Sequence, residues 1–115
     1  MKRDELFLLH IQEEMTFLLE ICSDLTYDTL CADPVMQRAV IRSIEIIGEA
    51  TKNISNTLKE QYPDVPWKLI AGTRDKLIHA YFDVDWVIVW NILQSEIPVL
   101  EQKVHSILHD LDIAG

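Results

Sequence analysis

Hydrophobic residues recur at intervals of three and four along most of the chain, which is the spacing of amphipathic helices. The first such segment runs from about Asp4 to about Ser23 and has acidic residues at its start, where they stabilise a helix N-terminus. The segment from Thr26 to Ala32 is less regular and predicts a connection or a short turn of helix. The apolar stripe of the first helix consists of Leu8, Ile11, Met15, Leu18, Ile21 and Cys22.

A second helix is predicted to begin at Asp33, which can cap it, with Pro34 in its first turn. Its apolar positions again follow helical spacing, and they are Met36, Val40, Ile44, Ile47, Thr51, Ile54 and Leu58. Gly48 costs about 1 kcal/mol in mid-helix relative to alanine, so we expect a neighbouring helix to cross closely there. Pro63 and Pro66 end the helix, because a residue that precedes proline disfavours helical backbone angles.

A third helix is predicted from about Trp67 to about Ala80, with Gly72-Thr73 as a weak point within it. A break is expected near residues 81–82. Asp83 or Asp85 then caps a fourth helix, because a carboxylate can accept hydrogen bonds from the first free N–H groups. The apolar positions of this last helical region are Val87, Trp90, Leu93, Ile97, Leu100, Val104, Ile107, Leu108 and Leu111.

Pro98 interrupts this last pattern, and we expect a kink there because proline removes one backbone hydrogen bond. Signals for β-strands are nearly absent from the chain. The sequence therefore predicts an all-α fold, an up-down bundle of four to five helices in one domain spanning residues 1–115.

Nineteen acidic residues against ten basic ones give a net charge of −9. This balance argues against broad, charge-driven binding to nucleic acid, although a small basic site for one or two phosphates remains compatible with it. Hydrophobic residues make up 49% of the chain, enough for one modest core. A domain this small often completes its burial by dimerising, and the apolar run 86–90 favours a homodimer built around the third and fourth helices.

The N-terminal residues lead into an amphipathic pattern, so we expect no signal peptide, and no apolar segment is long enough to span a membrane. Cys22 and Cys31 match no metal-binding or redox motif, and we interpret them as reduced residues of a cytoplasmic protein; a disulfide between them is the alternative. No cofactor and no metal site are predicted.

The most informative polar residues form the pattern R-x4-H-x-Y at Arg74, His79 and Tyr81. A permanent cation, a group that titrates near neutral pH and a phenol are suited to handling a phosphodiester. Asp75 precedes His79 by four residues and shares its helix face, so it could orient the imidazole. Glu49, four residues after Glu45 on the second helix, could line a polar cleft. The alternative is that these two acids pair with Arg42, Lys52 or another subunit.

The spacing leaves two interpretations of Arg74 and His79 open. Five residues separate them by about 140° around a regular helix, so they converge only if the helix is distorted, if the long arginine reaches round, or if two copies meet across a two-fold axis. The other interpretation is an exposed helix with incidental charges.

The sequence resembles the HepT-like family of the HEPN superfamily over most of its length. The resemblance lies in four blocks, which are residues 42–50 (RSIEIIGEA), Tyr62-Pro63 through Pro66-Trp67, Gly72-Thr73-Arg74 with His79-Ala80-Tyr81, and Val84-Asp85 with Val89-Trp90. Their order and distances make the match specific and favour a functional role for the motif. One departure is Asp75, where many relatives have asparagine.

The resemblance implies a dimeric all-α bundle in which the motifs of both subunits line a shared cleft. It implies a metal-independent ribonuclease that acts as the toxin of a toxin–antitoxin pair, with Arg74 and His79 as catalytic residues and Asp75 and Glu49 as supporting ones. The implied partner is a minimal nucleotidyltransferase of the MNT type, which adenylylates Tyr81 and so silences the toxin. The competing class is a non-catalytic helical partner that binds a nucleotide or the nucleotidyltransferase without cutting RNA.

Overall fold

The computed structural model describes the backbone of residues 2–79 and 84–111 and the side chains of residues 3–73 and 84–111. All regular structure within these ranges is helical, which confirms the predicted all-α fold. The elements are α1 (Lys2–Ile21), α2 (Tyr27–Ala32), α3 (Pro34–Lys52), α4 (Asn56–Gln61), α5 (Trp67–His79), α6 (Trp86–Asn91), a π-helical turn (Ile92–Glu96) and α7 (Ile97–Asp110).

Helix α3 connects the longer elements, because it packs against both α1 and α5, while α1 also packs against α7. The predicted stripe of α1 forms part of this core. Its members Leu8, Ile11, Met15 and Leu18 are each at most 1% exposed. Gly48 is buried in α3. The close helix crossing expected there stays a prediction.

The second predicted helix is two helices in the structure. Asp33 caps α3 as predicted, accepting hydrogen bonds from the N–H groups of Val35 and Met36 at 3.1 Å. The single stripe up to Leu58 is wrong as one helix, because α3 ends at Lys52 and Ser55 begins α4 by accepting the Leu58 N–H at 3.2 Å. A hydroxyl that competes for backbone N–H groups favours a new helix start over continuation.

Asp4 of α1 stabilises the break between α3 and α4 by binding Ser55. Its carboxylate is only 4% exposed and accepts hydrogen bonds from the Ser55 N–H at 2.8 Å and from the Ser55 hydroxyl at 2.6 Å. Hydrogen bonds to a charged acceptor are about twice as strong as neutral ones. The contact therefore ties the first turn of α1 to the start of α4 across 51 residues of chain.

Helix α5 runs without interruption across Gly72 and Thr73, so the weak point predicted there is not seen. The Thr73 hydroxyl donates to the carbonyl oxygen of Leu69 at 2.9 Å, which satisfies this side chain within the helix itself. Trp67 anchors the beginning of α5: its ring is buried, and its indole N–H donates to the Tyr62 carbonyl oxygen at 3.0 Å.

The last helical region begins at Asp85, whose carboxylate accepts hydrogen bonds from the N–H groups of Val87 and Ile88. The break expected near residues 81–82, and Asp83 as the other candidate cap, lie outside the described residues. Before Pro98 the helix widens into the π turn, where the Ile97 N–H bonds to the Ile92 carbonyl oxygen. This widening relieves the clash between the proline ring and the carbonyl group four residues earlier. The kink expected at Pro98 stays a prediction.

Both cysteines are free thiols, and burial raises the pKa of the Cys22 thiol. Among the helices with described positions, none is both long enough and apolar enough to cross a membrane.

We expect Asp4→Ala to lower the free energy of unfolding by about 3 kcal/mol, because two charge-assisted hydrogen bonds to Ser55 are lost. Chemical denaturation followed by circular dichroism measures this change. Asp24→Ala, at an exposed acid in the turn after α1, is the control and should change the free energy by less than about 0.5 kcal/mol. Equal stabilities of the two variants would show that the Asp4–Ser55 contact does not hold the helices together.

Candidate active site

The candidate catalytic residues lie on the second half of α5. The structure places Arg74, Asp75 and His79 in this order along one continuous helix. The side chains of residues 74–79 lie outside the described part of the structure, and Tyr81 lies outside the described residues altogether. The structure therefore fixes the order and azimuth of these positions around the helix, and their catalytic roles stay predictions.

The regular backbone of α5 limits how these positions can combine. Arg74 and His79 are about 140° apart around its axis, whereas Asp75 and His79 are about 40° apart. Because α5 is an uninterrupted α-helix, a distorted backbone does not bring Arg74 and His79 to one face. Two of the predicted ways for these groups to meet stay open, an arginine that reaches round the helix and a second copy of the chain.

An apolar pocket of about 200 Å³ lies where the first half of α5 meets α3, the π turn and α7. From α3 it is lined by Ile44 and Ile47, and from α5 by Leu69, Ile70 and Thr73. Ile70 is 8% exposed, whereas Leu69 remains 53% exposed at the edge. Packing against α3 thus positions the helix that carries the motif, while part of its apolar surface is left uncovered.

Glu49 occupies a different place on α3. It is exposed and lines a pocket of about 210 Å³, in which His10 of α1 and Arg42 and Glu45 of α3 lie beside the apolar residues Phe7, Ile46 and Ala50. Arg42 and Glu45 form an ion pair at 3.5 Å. Glu49 lies about 160° around α3 from Ile47, the residue that meets α5. The described structure groups Glu49 with His10 and Glu45, and its supporting role toward the motif stays a prediction.

His10 is a pocket residue that the sequence did not indicate. It is one exposed histidine on α1, and only the packing of α1 on α3 brings it beside Glu45 and Glu49. No spacing rule links positions that distant in sequence. Within the described ranges, no three histidine, cysteine or acidic side chains lie close enough together to hold a metal ion.

The tryptophans contribute mainly to packing where they are described. Trp67 is 7% exposed, and Trp90 is half-buried in an edge-to-face contact with Tyr27, with ring centroids 6.3 Å apart. In contrast, Val87 and Ile88 on α6 are 53% and 55% exposed. The run 86–90 therefore leaves apolar surface exposed in the described structure.

Comparison with known families identifies the chain. The model of the "Ribonuclease HepT-like" family matches residues 11–107, which include the R-x4-H pair and both α3 and α5. The chain belongs to the HepT-like ribonuclease family. Membership supports a ribonuclease function for this fold.

Several relatives of the HepT-like chain carry ribonuclease names. It is 47% identical over 94% of its length to a "Putative RNase" of Caldanaerobacter subterraneus subsp. tengcongensis, 96% of which is covered. It is 41% identical over 92% of its length to a "Putative RNase" of Methanocaldococcus jannaschii, 88% covered. A "Probable ribonuclease HepT" of Thermococcus cleftensis is 42% identical over 84% of the chain and is 88% covered. No solved structure gave a significant match.

A substitution at Gly72 tests whether the surface of α5 has free space at this position. Apart from its chain neighbours and the backbone of its own helix, a Cβ atom added at Gly72 would meet no described heavy atom within 4 Å. We therefore expect Gly72→Ala to raise the free energy of unfolding by up to about 1 kcal/mol, because alanine favours helix and restricts the unfolded chain. Gly48→Ala is the matched control, since this glycine is buried in α3 and an added methyl group should cost about 1 kcal/mol or more. Thermal and denaturant unfolding of both variants measure the difference, and a loss of stability at Gly72 would contradict an open face.

Proposed function

We propose that this HepT-like protein is a metal-independent ribonuclease toxin that cleaves RNA in a cleft between two copies of the chain. The observation that carries the proposal is the R-x4-H pair on one continuous helix in a chain of this family. The proposed antitoxin is a minimal nucleotidyltransferase of the MNT type, which neutralises the toxin by adenylylating Tyr81.

The residue types of the motif suit cleavage through the 2′-hydroxyl of the substrate. His79 acts as general base or general acid, so that the 2′-oxygen bonds to phosphorus while the 5′-oxygen leaves. Arg74 offsets the negative charge that develops on the phosphate oxygens. Asp75, about 40° from His79 on α5, holds the imidazole in its working orientation.

Dimerisation would supply what one α5 helix lacks. Two copies related by a two-fold axis place Arg74 of one copy opposite His79 of the other, in spite of the 140° between them within a chain. The exposed Val87 and Ile88 of α6 supply apolar surface for such a contact. Light scattering at micromolar concentration tests this arrangement, and a monomer there would contradict it.

The net charge of −9 favours a second candidate function, a non-catalytic subunit that binds a nucleotide or the nucleotidyltransferase. Both functions involve the same partner, so the presence of that partner does not separate them. RNA cleavage by the pure protein, with divalent metals chelated, separates them directly.

We expect Arg74→Ala and His79→Ala each to lower the rate of RNA cleavage by about 10²–10⁴-fold, because each removes a group that acts on the phosphodiester. Cleavage of a fluorescent RNA in EDTA measures the rate. Exposed residues of the same type elsewhere provide matched controls, namely Arg38→Ala on α3 and His105→Ala on α7, which should retain parental activity. Helical content and melting temperature should stay nearly unchanged in all four variants.

Two outcomes would contradict these catalytic assignments. Cleavage at the parental rate by the Arg74 or the His79 variant would remove that residue from the mechanism. Loss of helical structure in either variant would show that the side chain supports the fold instead of acting on RNA.

Tyr81→Phe should remain toxic but escape neutralisation by the nucleotidyltransferase, because the hydroxyl that accepts AMP is absent. In the parental protein, AMP on Tyr81 would place a phosphate beside Arg74 and His79 and occupy the position that RNA requires. Mass spectrometry after incubation with the partner and ATP measures the modification, and peptide mapping locates it. Tyr27→Phe, at an exposed tyrosine on α2, is the control and should still be modified. Equal silencing by a catalytically inactive partner would argue against the tyrosine switch.

A further inference from the structure

An acidic chain that binds RNA needs local regions of positive charge. Helix α5 is such a region, because its sequence carries three basic residues against one acid, while the chain as a whole has a net charge of −9. The first of these basic residues is Lys68, in the first turn of α5, well before the R-x4-H pair. A polyanion held at the motif would therefore meet further positive charge toward the beginning of the same helix.

An open groove of about 620 Å³ lies at this end of α5. Pro63, Pro66 and Leu69 provide exposed apolar surface in it, while Lys59 of α4 and Lys68 of α5 contribute their side chains from two different helices. The rest of its lining consists of Asn56, Glu60, Val65 and Trp67. Apolar surface bordered by cations suits a single-stranded nucleic acid, whose bases and riboses pack on apolar groups while its phosphates meet the cations.

The two lysines of this groove are available for a ligand. In the part of the chain with described side chains, neither ammonium group forms a hydrogen bond or an ion pair. Elsewhere in the described structure, other basic side chains already have partners. Arg42 forms an ion pair with Glu45 at 3.5 Å, and Lys103 donates to the Asp64 carbonyl oxygen at 2.8 Å. A phosphate that approaches Lys59 or Lys68 therefore displaces no partner that the described side chains supply.

The groove and the motif are connected along one face of α5. Lys68 and His79 are eleven positions apart, which places them within about 20° of each other around the axis and about 16 Å apart along it. Gly72 lies between them, about 40° from Lys68. Apart from its chain neighbours and its own helix backbone, no described heavy atom lies within 4 Å of the place where its Cβ would be. Nothing within the described structure thus covers this face at Gly72, and the absence of a side chain lets a strand approach the helix backbone.

We propose that the groove is a subsite for single-stranded RNA, in which Lys59 and Lys68 hold phosphates of the strand whose scissile bond lies at His79. The strand crosses α5 at Gly72 and packs a base or ribose on Pro63, Pro66 and Leu69. This inference rests on the proposed ribonuclease function. It makes Lys59 and Lys68 positioning residues for longer substrates, with no part in the bond-breaking step.

Binding tests the subsite independently of cleavage. Fluorescence anisotropy with a labelled 12-nucleotide RNA is measured on His79→Ala protein, with and without Lys59→Gln and Lys68→Gln. We expect the double lysine change to weaken binding about tenfold or more at about 0.1 M salt, where screening is still incomplete. It should also reduce the slope of log K against log[salt] by roughly 0.7 per lost phosphate contact. Arg38→Gln, an exposed cation on α3, should leave affinity and slope unchanged, while Glu60→Gln, which removes the acid of the groove, should strengthen binding.

Cleavage then shows whether the subsite positions the substrate. In protein that retains His79, Lys59→Gln and Lys68→Gln should raise KM for the 12-nucleotide RNA with little change in kcat. The effect should be small on a dinucleotide, which is too short to reach from His79 to Lys68. This dependence on substrate length would not arise from a general loss of stability.

The outcomes separate the subsite from the function on which it rests. If the protein binds RNA through the lysines but cleaves nothing, the ribonuclease proposal is wrong and the subsite stands. If RNA affinity is the same with and without the lysines, the subsite is wrong whether or not the protein cleaves. If the lysine changes or Gly72→Leu alter sedimentation and leave RNA affinity intact, this face contacts a second copy of the chain, and the proposal is overturned.

Discussion

The packing of α5 against α3 is the constraint on which the candidate active site depends. A thirteen-residue helix is marginal on its own in water, and α5 mixes charged and apolar residues throughout. Trp67 and Ile70 are its residues that the described structure buries, and Ile70 meets Ile44 and Ile47 of α3 in one apolar pocket. The position of the R-x4-H pair is therefore set by a core that other helices build.

That core is in turn held by a few polar contacts between elements distant in sequence. Asp4 fixes the beginning of α4, and the Gln12 side chain donates to Glu101 at 2.6 Å between α1 and α7. Ser43, buried in α3, donates to the Glu14 carboxylate of α1 at 2.8 Å. These contacts are directional, whereas apolar packing alone allows neighbouring helices to slide. They give α1, α3 and α7 a defined register. The position of α5 is then set by its packing against α3.

Charge is distributed in this protein so that an acidic surface coexists with a locally basic helix. Acidic residues dominate α1, whose sequence carries five acids against two bases, while α5 reverses this balance. An acidic exterior disfavours indiscriminate binding to nucleic acid, because repulsion acts over the Debye length of about 8 Å at physiological salt. Recognition of RNA would then depend on a small region in which cations and apolar surface occur together.

The sequence by itself determined the helical class, because its apolar residues recur at three and four and its caps at Asp33 and Asp85 are local signals. It also determined the family, through blocks of residues in a fixed order. It could not predict the end of α3 at Lys52, since the competing start at Ser55 is strengthened by Asp4, far away in the chain.

The tertiary structure alone decided which polar residues share a surface. It grouped Glu49 with His10, brought Lys59 and Lys68 to one groove, and left open space at Gly72 of α5 within the described structure. Periodicity reports how one helix distributes its residues around its own axis, and spacing rules extend only a few turns along it. Contacts between helices depend on how separate apolar faces pack together, and that information is not contained in any single segment of the chain.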